Sequence, residues 1–544
     1  SPLKHPDAAK ERQLYVLRQL VGNGHLSAAE AQLWMDAPIQ VRKEVIVPNL
    51  APELIDLARR ELARRFGEDA LSTLGMTVVT TIVPEIQLAA RAALESGLRA
   101  LDDRHGLRGP IARLDDKQAA ARLARLGKKL PPAGPSPGNS YDAVVVSVSD
   151  PDREMVVDLG GWRGTVILRG RTDERYNPDH RLPGERFVRN DLVRVRLAPE
   201  LIPLSSRTAK NTLALDLGPQ GAVVVIEPST RRVLALVGGY AFEAGQFDRA
   251  RRAKRQPGST FKPIVYAAAL DSGEFTPATI VNDAPAVYDL WKPKNFREDA
   301  FRGPIRLREA LSHSINTVAI RVLNEIGPQR AVDLAHAMGI EGELPVHLSL
   351  ALGSGEVTPL ELTNAFATFA SGGAYAPPSY LTAIGDQPVE PSPAIQVLRP
   401  EVAYQLTSMM QSVVEEGTAT AAKKLKRTVA GKTGTSNDEH DAWFVGFSPD
   451  RVGGVWVGYD DLRGLGAGEV GGKAALPIWI EVMKTALSGT TSRTFRQPPG
   501  IVIARIDRKT GKLASLGELE TDTLDEVFLD GTVPTETAPA PGEL

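Results

Sequence analysis

A serine and a lysine stand three residues apart in RQPGSTFKPIVYAAALDSG (residues 255–273): Ser259 and Lys262, at the opening of an apolar helix. A serine hydroxyl is a poor nucleophile unless a neighbouring base takes its proton. Residues three apart on a helix share a face, so Lys262 can reach back over Ser259. A lysine acts as base only when uncharged, and partial burial and the positive end of a helix both favour loss of the ammonium proton. Pro257-Gly258 ends the preceding loop sharply, and Gly273 is a C-terminal stop. Pro263 cannot donate to the Ser259 carbonyl, which is tolerable only near a helix start. Alone, S-x-x-K is a weak signal: Ser1-Pro-Leu-Lys4 has the same spacing and no such context.

Two further elements sharpen it. Ser314-Ile315-Asn316 offers a hydroxyl and an amide two apart, which is loop spacing if both point into one site. Lys432-Thr433-Gly434-Thr435 lies in an apparent strand, where the cation can orient an anionic substrate and Gly434 lets the backbone come close to it. A second Lys-Thr-Gly, Lys509 to Gly511, sits at a polar hairpin turn and is discounted. Each residue also has a plainer role: Ser259 as a helix cap, Asn316 in a turn, Lys432 as a surface charge. It is the three together, in order, that point to acyl transfer. The eight histidines show no metal-ligand spacing, and there are no cysteines, so neither a metal nor a cofactor is called for.

A chain of 544 residues is too long for one hydrophobic core, so two to four domains are expected. A net charge of −2 argues against a nucleic-acid partner. The local basic run Arg249, Arg251, Arg252, Lys254 and Arg255 reads as a solvated surface in preference to a field that draws in an anionic substrate. No apolar run approaches a membrane span, and the start at Ser1 reads as a fragment of something longer.

The elements that must position these residues follow from patterning. Residues 1–50 look helical, with Ser27-Ala-Ala-Glu30 at capping-box spacing, and residues 54–66 are a further helix stopped by Gly67. MTVVTTI is a strand, and a long helix starts near Pro84 with Ile86, Ala90, Ala93, Leu94 and Leu101 on one face. GKKLPPAGPSPGN (127–139) reads as a linker, and closely spaced strands over roughly 140–215 imply a small barrel or sandwich. From Gly221 a hairpin, then helices to about residue 425, then three strands imply an α+β domain whose sheet is closed by sequence-distant strands. Trp443, Phe444 and Phe447 read as core, and PTETAPAPGEL as a disordered tail.

S-x-x-K, S-x-N and K-T-G in this order resemble the signature of penicillin-binding proteins and class A β-lactamases. RQPGSTFKP, LSHSINTVAIR, LALGSGEVTPLELTNAFATFASGG, VVEEGTATAA and AGKTGTSNDEHDAWFVGF together resemble the transpeptidase domain of a class A, 1A-like penicillin-binding protein. The resemblance covers nearly the whole chain. It implies an α+β transpeptidase domain (antiparallel sheet packed with helices) over 216–499 and a C-terminal hairpin and tail over 500–544. It further implies a small OB-like β domain over 139–215, an interdomain pedestal over 51–138, and in residues 1–50 the helical remnant of a glycosyltransferase domain whose catalytic part lies upstream of Ser1. Ser259 would be the nucleophile on a D-Ala-D-Ala stem peptide, Lys262 its general base, and Ser314 and Lys432 a proton relay to the departing amine. Asn316 would hold a substrate amide, and Thr433 and Thr435, with Gly434 between them, the terminal carboxylate. The backbone N–H groups of Ser259 and Thr435 would form the oxyanion hole.

Implied partners are peptidoglycan stem peptides, as donor and amine acceptor, β-lactams as covalent inhibitors, and an activator protein docking on the OB-like domain. The implied location is the periplasmic side of the inner membrane, with an anchoring helix only in the longer parent. A D,D-carboxypeptidase, a β-lactamase with Glu361 as deacylating carboxylate, and a non-catalytic β-lactam sensor share these motifs. The apolar helical spacing of ELTNAFATFA favours a structural Glu361.

Overall fold

The computed structural model describes residues 5–39, 49–69, 73, 75–136, 139–197, 211–242, 247–296 and 300–540. The chain folds as two compact units, residues 1–49 and 50–544. In the first, helices Pro6–Gly22 and Ala28–Asp36 bury Leu17 and Ala31. The Ser27–Glu30 capping box forms as its spacing predicts, with Ser27 Oγ accepting the Glu30 N–H and the Glu30 carboxylate the Ser27 N–H.

In the second unit the sheet that carries the chemistry has five antiparallel strands in the order Ala430–Thr435, Asp441–Phe447, Val452–Gly458, Gln220–Ile226, Val233–Val237. Val452–Gly458 pairs with Gln220–Ile226 in register from Val452↔Ile226 to Gly458↔Gln220, so distant segments close the sheet as the sequence implies. Alternation is lost because helices cover both faces: every residue of Asp441–Phe447 and Val452–Gly458 is buried. Pro84–Arg104 packs on Val233–Val237 and on Leu476–Ala486, close enough that a Cβ on Gly97 would lie 2.3 Å from Ile478. Trp443, Phe444 and Phe447 are fully buried core.

A second sheet closes on itself. Asp191–Leu197, Ser140–Ser149, Glu154–Asp158, Arg163–Ile167 and Thr212–Leu215 pair in turn, and Thr212–Leu215 returns to Asp191–Leu197, completing a barrel around Val145, Val157, Phe187 and Val193. Strand Ala112–Arg113 and helix Asp116–Lys129, which sequence reading leaves in the preceding segment, pack against it through Ala119 and the Arg122–Asp142 ion pair. The helix runs three residues into the expected linker. Gly127 there is a contact residue, since a Cβ on it would lie 2.6 Å from the Gly160 carbonyl.

The expected C-terminal hairpin around Lys509–Gly511 forms as a short ladder, with Ile506 bridged to Leu513, the Asp507 N–H on the Lys512 carbonyl and the Gly511 N–H on the Asp507 carbonyl, and the longer pairing is that of Ile501–Asp507 with Thr523–Leu529. The expected disordered tail is corrected over its described part. Leu513 N–H donates to the Glu536 carbonyl, Ala538 N–H donates to the Leu513 carbonyl, and Ala538 is buried. Residues 541–544 lie outside the described residues.

A site residue forms one helix end. Leu307–Ser312 terminates with the Ser314 N–H on the Leu311 carbonyl and the Ile315 N–H on the Ala310 carbonyl. This is the paired-bond stop that requires a left-handed residue, and Ser314 supplies it at φ +60° where glycine is usual. The hydroxyl is therefore aimed by a helix terminus rather than by a free loop. Ser314→Gly and Ser314→Ala both lose the hydroxyl, but the glycine variant should be the more stable by about 1 kcal/mol, measured by urea unfolding.

Candidate active site

The segment before Ser259 is held by charge and backbone together. Arg255 and Asp441 are both buried, with Nε to Oδ1 at 2.7 Å. The guanidinium lies over the Trp456 ring at 5.1 Å, and Trp456 Nε1 donates to the same Asp441 oxygen. Arg255 and Val357 exchange backbone bonds, and Trp443 Nε1 donates to the Gln256 carbonyl. The basic run is thus corrected from a solvated surface: Arg255 binds Asp441, Arg249 binds Asp460 and is buried, and Arg251 faces Asp248, leaving Arg252 and Lys254 exposed.

Glycines bring the backbones into contact. Gly258 has φ +54°, and a Cβ there would lie 2.4 Å from the Thr435 carbonyl; one on Gly353 would lie 2.2 Å from the Gly258 carbonyl. Gly434, expected to admit substrate, has a nearer cause: its Cβ would meet the Pro257 carbonyl at 2.4 Å and Thr260 at 2.9 Å. The Ser259 loop itself fills the space a side chain at 434 would take.

Ser259 sits half-buried in the 3-10 turn Gly258–Phe261, which continues directly into helix Lys262–Ser272. Residues three apart eclipse in such a turn, so Ser259 and Lys262 share a face. Lys262 is fully buried. Its Nζ contacts the Ser314 carbonyl and Asn316 Oδ1, both at 2.7 Å, and Ser314 Oγ at 3.3 Å. Lys432, also fully buried, donates to Ser314 Oγ at 2.9 Å and to the Thr433 carbonyl at 2.9 Å. The Ser314 hydroxyl bridges the two amines. Among the described residues the Ser259 hydroxyl makes no hydrogen bond, so the direct Ser259–Lys262 bond expected from spacing is not formed; Lys262 is engaged by Ser314 and Asn316 instead.

Two buried lysines around one hydroxyl cannot both keep a charge cheaply. Burial, and then the Lys432 cation, drive Lys262 well below the ordinary lysine range, while burial lowers Lys432 to about 7. Because the Lys432 cation is itself a cause of the lowering at Lys262, the pair favours charge on Lys432 and a neutral Lys262. Three oxygen contacts at Lys262 would suit an ammonium, but the two carbonyl oxygens suffice for the two hydrogens of a neutral amine. Its lone pair then faces no donor other than a hydroxyl.

Thr433 and Thr435 extend the site along the open edge of the sheet. Ser436 N–H donates to the Asp441 carbonyl, so by antiparallel alternation the N–H groups of Thr433 and Thr435 point away from the neighbouring strand. Thr418 Oγ1 bonds Thr433 Oγ1 at 2.7 Å, and the Gly471 N–H donates to Thr435 Oγ1 at 3.1 Å. A Cβ on Gly471 would strike the Gly434 and Trp443 carbonyls, at 2.4 and 2.2 Å.

Sequence reasoning missed Thr418, Gly471, Asn295 and Asp283. Helix Asn316–Ile326 has no side-chain cap of its own. Asn295 Oδ1 accepts the N–H groups of Asn316 (3.0 Å) and Thr317 (3.2 Å), and Asn295 Nδ2 donates to buried Asp283. Asn316 Nδ2 donates to the Lys294 carbonyl at 2.9 Å, which turns its amide oxygen toward Lys262. A cap supplied from about twenty residues upstream leaves no local pattern. Thr418 lies inside VVEEGTATAA and carries no spacing signal of its own. His313, beside the site in sequence, bonds Ser312 and the Glu309 carbonyl instead.

Residues 221–484 match the penicillin binding protein transpeptidase domain family. The chain is 35% identical over 588 aligned residues to penicillin-binding protein 1A of Pseudomonas aeruginosa, covering 95% of this chain and 70% of that protein. It is 36% identical to penicillin-binding protein 1A of Neisseria lactamica, covering 92% of this chain and 64% of that protein. The crystal structure of penicillin-binding protein 1A from Haemophilus influenzae superposes with a TM-score of 0.70 at 27% identity, over 99% of this chain and 84% of that one. With the site geometry, these likenesses establish that the chain belongs to the penicillin-binding protein 1A family and carries its transpeptidase domain.

Proposed function

We propose that the protein is a serine D,D-transpeptidase that cross-links peptidoglycan stem peptides through an acyl-enzyme and is inhibited covalently by β-lactams. The observation that carries this reading is the Lys262–Ser314–Lys432 bridge, two buried amines joined by a hydroxyl. Ser259 Oγ attacks the penultimate D-alanyl carbonyl, and neutral Lys262 takes its proton. The N–H groups of Ser259 and Thr435 receive the oxyanion, a contribution of roughly 3–4 kcal/mol per donor in other acyl transfers. The C–N bond breaks, and the proton passes from Lys262 through Ser314 to the leaving D-alanine amine, with Lys432 holding Ser314 Oγ. Asn316 holds a substrate amide. Thr433 and Thr435 bind the terminal carboxylate, and Gly434 keeps them against the Ser259 loop. An amine of a second stem peptide then takes the acyl group and frees Ser259.

Glu361 gives no support to the β-lactamase alternative. Its carboxylate accepts the N–H of Thr358 at 2.7 Å and that of Glu341 at 3.2 Å, capping helix Pro359–Ala370. Choice between an amine and water as acceptor separates transpeptidase from carboxypeptidase, and the family favours the amine. The closed barrel is proposed as the OB-like domain and as an activator's docking platform, and residues 1–50 as the end of a glycosyltransferase domain. Action is placed on the periplasmic face of the inner membrane.

Ser259→Ala should abolish covalent labelling by a fluorescent penicillin; label persisting on folded variant would refute the nucleophile. The second-order acylation rate should rise with pH as Lys262 loses its proton and fall above about 7 as Lys432 loses its own. Lys432→Arg, always charged, should lose the descending limb if it still acylates. Glu361→Ala should cost roughly 1 kcal/mol in thermal unfolding and leave the lifetime of the penicilloyl adduct unchanged; a lengthened lifetime would favour the β-lactamase reading.

A further inference from the structure

The Ser314 turn is the terminus of helix Leu307–Ser312, and that helix is fixed from outside the matched transpeptidase region. Arg308 is buried on it, and its fork meets the fully buried Glu526 carboxylate, with Nε to Oε2 at 2.8 Å and Nη2 to Oε1. Its Nη1 donates to the Ser408 carbonyl (2.7 Å) and Ser412 Oγ (3.0 Å), and Nη2 to Ser408 Oγ (3.0 Å). Glu526 lies in strand Thr523–Leu529 of the C-terminal hairpin, beyond the residues 221–484 that match the transpeptidase family. The same hairpin accepts Arg306 Nε on the Arg508 carbonyl and Gln405 Nε2 on the Val527 carbonyl. The other end of the helix holds the site: the Ser312 carbonyl accepts the N–H of Thr418, and Thr418 bonds Thr433.

We propose that Glu526 is a positioning residue of the transpeptidase, acting through Arg308 to set where the Leu307–Ser312 helix delivers Ser314 and Asn316 to the two lysines. A bidentate pair with further guanidinium bonds to Ser408 and Ser412 fixes the helix in rotation as well as in distance. Breaking a buried pair leaves an uncompensated charge, so the helix shifts to find solvent. A shift near 1 Å at a site of this kind costs about a hundredfold in rate. The C-terminal hairpin is on this account a working part of the catalytic domain. A stability role alone would slow unfolding without touching acylation.

The inference rests on the transpeptidase reading, and the experiment separates the two. Glu526→Gln keeps shape and removes charge; Gln405→Leu removes a different bond between the hairpin and the same body. Acylation by a fluorescent penicillin and thermal unfolding are measured on both variants and on the natural chain. The expected result is at least a tenfold fall in acylation rate for Glu526→Gln. The rising limb of its pH profile should move to higher pH as water reaches Lys262. Gln405→Leu should lose stability alone. Should Glu526→Gln not fold, Ser412→Ala withdraws one of the bonds to Arg308 and should slow acylation several-fold with the same shift. An unchanged rate and limb in whichever of these variants folds overturns the proposal. So does a loss that tracks stability equally in Glu526→Gln and Gln405→Leu. A natural chain that takes no label overturns the transpeptidase reading itself.

Discussion

Two lysine side chains that water cannot reach meet at one serine hydroxyl, and the domain is arranged around the consequence. Lys262 and Lys432 are both fully buried, and Ser314 Oγ touches both. A low-dielectric site with two such amines keeps one charge more readily than two. Burial lowers both amines, and the Lys432 cation lowers Lys262 further. In the proposed mechanism a base and an electrostatic anchor are thereby made from the same residue type.

Holding that arrangement requires parts remote in sequence to be rigid together. The Ser259 loop is pressed against the Lys432 strand by glycines at 258 and 434 and locked by the Arg255–Asp441 pair beneath Trp456. The Ser314 turn is fixed by its own helix end on one side and by the Asn295–Asp283 clamp on the other. Neither set of contacts involves the Ser259 hydroxyl, the nucleophile of the proposed mechanism.

How much of this was legible follows from how local each signal is. S-x-x-K, S-I-N and K-T-G are contiguous, and the helix stop at Gly273 and the box at Ser27–Glu30 obey short-range rules. The five-stranded sheet was legible as a class, though its strand order depends on pairings across more than two hundred residues. What spacing misread was partnership. Lys262 was expected on Ser259 and is found on Ser314 and Asn316, because carbonyl oxygens from another helix reach it. Arg249 and Arg255 looked like surface because nothing local announces Asp460 and Asp441. Gly434 was read for the substrate, when the nearest atoms to its missing side chain belong to the protein. The tail looked disordered by composition, yet its backbone finds Leu513.

The barrel between Ser140 and Leu215 ends where it begins: Thr212–Leu215 hydrogen-bonds to both Arg163–Ile167 and Asp191–Leu197. Strand addition needs an unpaired row of amides and carbonyls, and among the described residues the only strand that ends this sheet is the two-residue Ala112–Arg113. Any protein that recognises this module must therefore read side chains and loops. A peptide mimicking an extended strand would make a poor competitor for such an association.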